Sequence, residues 1–367
     1  MERFAFIIHA IDVRADVAKK FPIAKYFPAI MVENAMAYVK PMVVSHITGI
    51  KSKTGVEAEG WFIGCTLGPR KLLTSEPEFV YKNLEQCVAL ADGLGAKVIG
   101  LGALTSVAGD GGITLAKRVN MAVTTGNSYT VATAVEGAIK GADLMGVPIE
   151  DAHVAIVGAA GSIGRTSAML LAPKCRKLTL LGRDAAKLEP LANELRAVCK
   201  TVNVSSDTST GLKDADVIVT VTSAVDAVIQ PSDLKPGAVV CDVARPRDVS
   251  VRVAKERPDV LVIEGGIVQV PGKMSCIKTD KHGVEKTGEF SFGFPAGTAY
   301  ACMSETMMLA LDQRYESFTL GKTVSVEQAS KMWELADKHG FGLAGFRSFE
   351  RAVTLETIAA VRKAAGR

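Results

Sequence analysis

The stretch His153–Arg183, HVAIVGAAGSIGRTSAMLLAPKCRKLTLLGR, decides the fold. His153 to Val157 is a short apolar run of the kind that forms a buried strand. It ends in Gly158-Ala159-Ala160-Gly161-Ser162-Ile163-Gly164. Arg165 to Leu171 then has the composition of a helix, and Lys177 to Leu181 is a second apolar run. Strand, glycine turn, helix and strand make the first βαβ unit of a doubly wound nucleotide-binding domain. Glycine is required because backbone N–H groups must approach a pyrophosphate, which then rests on the positive end of the helix. The spacing is GxxGxxG rather than GxGxxG, so the flanking strands carry as much of the reading as the glycines do. Gly158, Ala160, Gly161, Ser162, Ile163 and Gly164 are the expected cofactor contacts; the alternative is a glycine turn that holds nothing.

The end of the second strand selects the cofactor. NAD sites place a carboxylate about 20 residues beyond the glycines, where it accepts from the ribose 2′-hydroxyl. Here that place holds Gly182-Arg183, with Lys187 one turn on. A guanidinium stacks on adenine and pairs with a 2′-phosphate. The expected cofactor is NADP(H), the alternative being a solvated Arg183. Asp184, next door, weakens the positive field.

The rest of the domain follows outward. Val217 to Val221, Ala238 to Val243 and Val260 to Ile263 read as further strands, ending at Thr222, at Val243 and at Gly265-Gly266. The carboxyl ends of such strands line the cofactor crevice, so Thr222, Val243, Gly265 and Gly266 join the expected cofactor residues. Upstream, Phe4 to Ile8, Val43 to Ile50, Glu57 to Ile63 and Lys97 to Leu101 are strand candidates, and Glu78 to Leu94 has helical periodicity. Lys273 to Glu289 is a polar excursion with the look of a hairpin or exposed loop. Phe294-Pro295-Ala296-Gly297 breaks the chain before a long helix, Thr298 to Arg314, and two shorter helices follow. The predicted class is α/β: a Rossmann-type doubly wound domain at 131–295, an N-terminal α/β substrate domain at 1–130, and C-terminal helices at 296–367 packing back on the substrate domain.

Composition bounds the function. The 367 residues are 48% apolar and 22% charged, and 43 basic against 39 acidic residues imply no nucleic-acid partner. No stretch reaches the length of a membrane span, and the opening MERFAFIIHAIDVRAD does not read as a signal peptide. Seven scattered cysteines make no C-x-x-C pair and the five histidines no metal spacing, so no metal is expected. The setting expected is reducing and cytoplasmic, with thiols free for chemistry.

Two regions carry candidate chemistry. Val123 to Thr130 is dense in hydroxyls and opens a helix from Val131 to Met145; Thr125 and Asn127 are placed to grip a carbonyl or phosphate oxygen, with plain N-capping by Ser128 or Thr130 as the alternative. Cys302 lies in the first turns of the long helix, where a helix N-terminus favours thiolate, and Glu305 is three residues on, on the same face. A packed, inert cysteine is the alternative. His9, at the end of the first strand, is a candidate base.

These segments resemble the cyanobacterial long-chain acyl-(acyl-carrier-protein) reductases, which form fatty aldehydes. The likeness rests on Lys51–Cys65, Thr124-Thr125-Gly126-Asn127 with Thr130, Gly158–Gly164, Gly265-Gly266-Ile267-Val268, Ala301-Cys302 with Glu305, and Lys338-His339-Gly340-Phe341, in the same order. It implies that Cys302 takes the acyl group as a thioester and that NADPH reduces it to the aldehyde. It also implies a fatty acyl thioester on acyl carrier protein or coenzyme A as substrate, and a downstream aldehyde-consuming enzyme. The family's loop usually reads G-A-T-G-D-I-G, and Arg70–Ser75, Val107–Gly112 and Lys273–Glu289 also depart from it. Those departures bear on chain length and carrier more than on reaction type. Arg70-Lys71 or Arg245 with Arg247 are the basic residues available to an acidic carrier.

Three other readings stay open. One is an NADP-dependent dehydrogenase of a small hydroxy or amino acid, shikimate- or quinate-like, with no covalent intermediate; it needs a Lys/Asp pair in the first domain. Another is a glutamyl-tRNA reductase, suggested by Asp242–Val249 (DVARPRDV) but lacking that family's N-terminal nucleophile. The third is a non-catalytic NADPH-binding sensor. The oligomeric state is not legible in the sequence.

Overall fold

The computed structural model describes every residue except Lys19, Lys20, Val225, Arg245, Phe292 and Phe294. Arg245 of the basic pair and Phe294 of the chain break thus lie outside the described residues. The chain forms two compact units. One comprises Met1–Gly126, Gln269–Lys322 and Glu334–Gly342; the other comprises Asn127–Val268, Thr323–Trp333 and Leu343–Arg367.

The second unit carries six parallel strands in the order Thr201–Ser205, Lys177–Leu181, His153–Val157, Val217–Thr220, Val239–Asp242, Leu261–Glu264. This is the doubly wound order, with the switch point between the strands of His153 and Val217. All but the edge strand Thr201–Ser205, which is partly exposed, read as near-continuous apolar runs because both faces are covered. Val154, Ile156, Leu178 and Val219 pack into a cluster on one face, while Ala155, Val157, Ile218 and Val240 pack into a cluster on the other. Each such valine, leucine or isoleucine contributes about 1.5–3 kcal/mol on full burial.

The first unit holds a seven-stranded mixed sheet. Its order is Glu285–Glu289, Gly272–Thr279, Met42–Lys51, Glu57–Cys65, Glu2–His9, Val98–Leu101, Ala122–Thr124. The last four run parallel, and the others join antiparallel. The edge strand Glu285–Glu289 is exposed throughout, and its charges suit an edge that must not recruit another chain.

Several expected boundaries move. The polar excursion at 273–289 is a hairpin, and its first strand pairs with Met42–Lys51, so it belongs to the first unit and not to the dinucleotide domain that was expected to run to residue 295. The first unit's opening segment ends at Gly126 rather than 130, because the helix begins at Asn127 and not at Val131. The 296–367 segment is not one helical body but is divided between the units. Its long helix shortens to Ala301–Leu311, behind an extended Thr298–Tyr300. That trimming matters, because it moves Cys302 to the second residue of the helix. The sequence reading also passed over three short helical pieces, Val13–Ala18, Pro22–Tyr26 and Ala29–Met36, between the first two strands.

Candidate functional site

In the first unit the site begins with the helix Ala301–Leu311, which packs on the strands Glu2–His9 and Val98–Leu101. Ten of its eleven residues are buried, the polar run Ser304-Glu305-Thr306 among them, so it is a core helix. Cys302 is its half-buried exception. Against it lies the chain leaving the strand Ala122–Thr124. Gly126 has φ +75°, and a Cβ there would stand 2.3 Å from both the Cα and the Cβ of Cys302. Only glycine meets both demands, a left-handed backbone and contact at that range. Gly126→Ala is therefore expected to cost at least about 2 kcal/mol of stability, from strain and overpacking combined, as read from denaturant midpoints.

Glu305 is fully buried one turn below Cys302. Its Oε1 accepts from the Thr124 hydroxyl at 2.5 Å and from the Thr319 hydroxyl at 2.8 Å. The Thr319 carbonyl in turn accepts from the Thr125 N–H at 2.9 Å. The carboxyl thus ties the helix to the strand end, and through Thr319 it sets the course of Thr125 and Gly126. Thr125 is 1% exposed, and its Oγ1 has no hydrogen-bond partner among the described residues. A buried hydroxyl left unpaired costs about 1–3 kcal/mol. Sequence reasoning singled out Thr125 and Glu305 but missed Thr319, which carries no local signal and comes from a loop far along the chain.

The expected thiolate is not what the geometry favours. Burial pushes the Cys302 thiol up to about 12; the Met303 N–H opposes this, and the Glu305 charge adds to the rise. The helix N-terminus therefore loses to desolvation, and the free protein holds a neutral thiol at pH 7. Alkylation of Cys302, followed on its own peptide by mass spectrometry, is expected to rise about tenfold per pH unit from neutral pH upward, without a plateau below pH 9.

His9 does not serve as the expected base. Its Nε2 accepts from the Leu104 N–H at 3.2 Å, which leaves Nδ1 protonated and donating to the Ala10 carbonyl at 2.9 Å. Burial also lowers its pKa. Both nitrogens are spent on shaping the chain at Ala10 and Leu104. His339, near a helix end, is likewise neutralised by burial; it is 1% exposed and bridges Ser52 and Asp312. Asn127, the remaining expected contact, opens the helix Asn127–Leu144 and is counted with the second unit.

In the second unit the expected cofactor residues converge on the carboxyl ends of the parallel strands. Gly158, with φ +85°, sits at the switch point, where a Cβ would come 2.6 Å from the Val221 carbonyl oxygen. Gly161 is the N-cap of the helix Ser162–Leu171, whose first N–H groups are free of intrahelical partners. A Cβ on Gly164 would strike the Gly158 oxygen at 2.3 Å, so this glycine allows helix and strand to close. Ala160, Ser162 and Ile163 are not buried and form the lip of the loop.

Beyond the neighbouring strand, a cleft of about 430 Å³ is lined by Ala160, Arg183, Asp184 and Lys187. Asp184 is turned back on its own segment, accepting from the Ala186 N–H at 3.1 Å and pairing with Lys187 at 3.5 Å. Arg183 is exposed and has no ion pair among the described residues. The cleft thus offers a guanidinium with no carboxylate holding it, as a 2′-phosphate requires. Thr222 is held by Asp248, which accepts from its N–H at 2.8 Å and its hydroxyl at 2.5 Å and from the Thr220 hydroxyl at 2.6 Å. Val243 and Gly265 pack on each other at the next two strand ends, and Gly266 follows with φ +77°. Asp248 is the residue that sequence reasoning missed here, although DVARPRDV had drawn attention to its neighbourhood. The glycine cradle, the free helix start and the unpaired Arg183 fit a phosphorylated dinucleotide, and the second unit is an NADP(H)-binding Rossmann domain.

Among the described residues, no group of three or more His, Cys, Asp or Glu could hold a metal ion, and no helix is long and apolar enough to cross a membrane.

Comparison with known proteins points the same way. Residues 142–264 match the family described as Shikimate / quinate 5-dehydrogenase. Aminotransferase PigE of a Serratia species is 32% identical over 297 residues, 80% of this chain and 33% of that protein. Long-chain acyl-[acyl-carrier-protein] reductase of Synechococcus elongatus is 26% identical over 313 residues, 82% of this chain and 87% of that protein. Glutamyl-tRNA reductase of Exiguobacterium sibiricum is 27% identical over 146 residues, 37% of this chain and 31% of that protein. The chain spans about a third of the length of PigE. The dehydrogenase match falls on the dinucleotide domain, so a dinucleotide-dependent oxidoreductase is what the matched family and the two reductases have in common.

Proposed function

We propose that the protein reduces a fatty acyl thioester to the aldehyde with NADPH, through an acyl group carried on Cys302. The observation that carries this reading is the packing of Gly126 on Cys302, with the unpartnered Thr125 hydroxyl next in the chain. A cysteine meant only to fill space does not need a left-handed glycine pressed on its backbone beside an unpaired buried hydroxyl. The similarity to the acyl-(acyl-carrier-protein) reductase over 82% of the chain supports the same chemistry.

Cys302 Sγ bonds to the thioester carbonyl carbon, the carbon–sulfur bond to the carrier breaks, and the thiol proton leaves with the departing carrier sulfur. The Thr125 hydroxyl and the backbone N–H groups at the start of the helix donate to the carbonyl oxygen as it gains charge. Glu305 acts by position, holding Thr124 and Thr319 so that this backbone keeps its course. When bound, NADPH supplies the hydride that takes the acyl group to the aldehyde level. Release breaks the bond between the carbonyl carbon and Cys302 Sγ, and a proton from water returns Cys302 as the neutral thiol that its burial favours. Arg183 and Lys187 hold the 2′-phosphate, and the loop Gly158–Gly164 holds the pyrophosphate.

The aldehyde product calls for a consuming enzyme. A relative named as an aminotransferase, two thirds of which lies outside the match, supports amine transfer to the aldehyde as the next reaction. Arg70 and Lys71 suit an acidic carrier less well than the sequence suggested, since Arg70 is already paired with Glu33 at 3.0 Å.

Incubation with an acyl thioester without NADPH, followed by intact-mass measurement, is expected to add one acyl mass, mapped to Cys302. A protein that never acquires it, yet oxidises a hydroxy acid with NADP⁺, is instead the dehydrogenase that the 142–264 match favours.

A further inference from the structure

We infer that the helical insert between the first two strands, residues 11–40, is a docking surface for an anionic lipid bilayer, independent of the catalytic reading. Its pieces Val13–Ala18, Pro22–Tyr26 and Ala29–Met36 and the turn after them leave large apolar side chains standing in solvent: Ile23 is 66% exposed, Tyr26 74%, Ile30 55%, Met31 54% and Tyr38 88%. Isolated exposed apolar residues are ordinary, but a run of them along one insert marks an interaction site.

Charge decides what kind. The segment carries five basic residues, Arg14, Lys19, Lys20, Lys25 and Lys40, against three acidic ones; Lys19 and Lys20 lie outside the described residues. The acidic groups face inward or back on the chain. Glu33 is 4% exposed and accepts from Arg70 and from the Lys71 N–H. Asp16 accepts from the Ile11 and Asp12 N–H groups, and Asp12 from that of Ala15. Arg14, Lys25 and Lys40 are exposed, and the Lys25 ammonium lies 4.8 Å from the centre of the Tyr26 ring.

Aromatic and aliphatic side chains flanked by free cations are the composition of an interfacial anchor on anionic lipid. A second copy of this chain would bring like charges together, which opposes self-association. Side chains more than half exposed also suit insertion between lipid headgroups, where each is buried singly, better than a shaped protein pocket. Because no described helix is long and apolar enough to cross a membrane, this contact is with the surface.

The test is cosedimentation of the full chain with vesicles of phosphatidylcholine alone or mixed with phosphatidylglycerol. Binding is expected with the mixed vesicles only, weakened by salt. It should fall about tenfold or more in the Ile30→Glu/Met31→Glu double variant and also in Tyr38→Ser, whose side chain is too exposed to affect folding. NADPH binding and circular dichroism should not change in either variant. Equal binding to both vesicles, no binding to either, or binding that survives in both folded variants would overturn the inference. So would vesicle-free self-association, or capture of an acidic carrier protein, abolished by the same substitutions.

Discussion

Cys302→Ser is expected to lower aldehyde formation by at least about a thousandfold while leaving NADPH affinity within error of the wild type. The oxygen is a far weaker nucleophile than sulfur in a site that already raises the Cys302 pKa to about 12, and no side chain placed to deprotonate it stands out: His9 is spent on Leu104 and Ala10, and Glu305 is engaged by two threonine hydroxyls. The substitution removes little volume from a half-buried position, so the folded fraction should not change. Product aldehyde, detected directly, and tryptophan-to-NADPH energy transfer give the two readouts. Turnover retained by the serine variant would remove Cys302 from the mechanism. Loss of both turnover and NADPH binding would point to misfolding instead, which thermal denaturation detects.

Arg183→Glu is the second large effect. A guanidinium against a 2′-phosphate forms a charge-assisted pair, and a carboxylate in its place repels the same group. The exchange is expected to raise the KM for NADPH about a hundredfold, about 2.7 kcal/mol, with kcat little changed. The KM for NADH should stay level or fall, since a carboxylate can accept from a free ribose hydroxyl. Asp184 is no substitute, as its carboxylate is committed to Ala186 and Lys187. An unchanged ratio of the two KM values would mean that Arg183 is a solvated surface residue.

The fold and the residues proposed to hold the cofactor stand out in the sequence for a common reason. A parallel strand covered on both faces must be a short continuous apolar run, and a pyrophosphate loop must be glycine between strand and helix; both demands act over a few neighbouring residues. Val157, Gly158, Gly164 and Arg183 therefore announce themselves locally. Boundaries that depend on long-range pairing did not. Nothing in Gly272–Thr279 says that it will pair with Met42–Lys51, because antiparallel strands are recruited by register and not by composition. The insert at 11–40 carries no such signal because most of its large apolar residues, Ile23, Ile30 and Met31 among them, face solvent and so follow no core-facing period.

By itself the sequence determined the α/β class, the dinucleotide domain and its preference for NADP(H), and it singled out Cys302, Glu305 and Thr125. Only the tertiary structure decided how these last three are placed. It brought Thr124 and Thr319 to Glu305 across 181 and 14 residues of chain, pressed Gly126 on Cys302, and engaged both ring nitrogens of His9. It also reversed the expected charge state of the thiol. The reason is physical: a helix start favours thiolate through local dipoles that the sequence shows, but desolvation depends on every segment packed around the sulfur, and those meet only once the chain has folded.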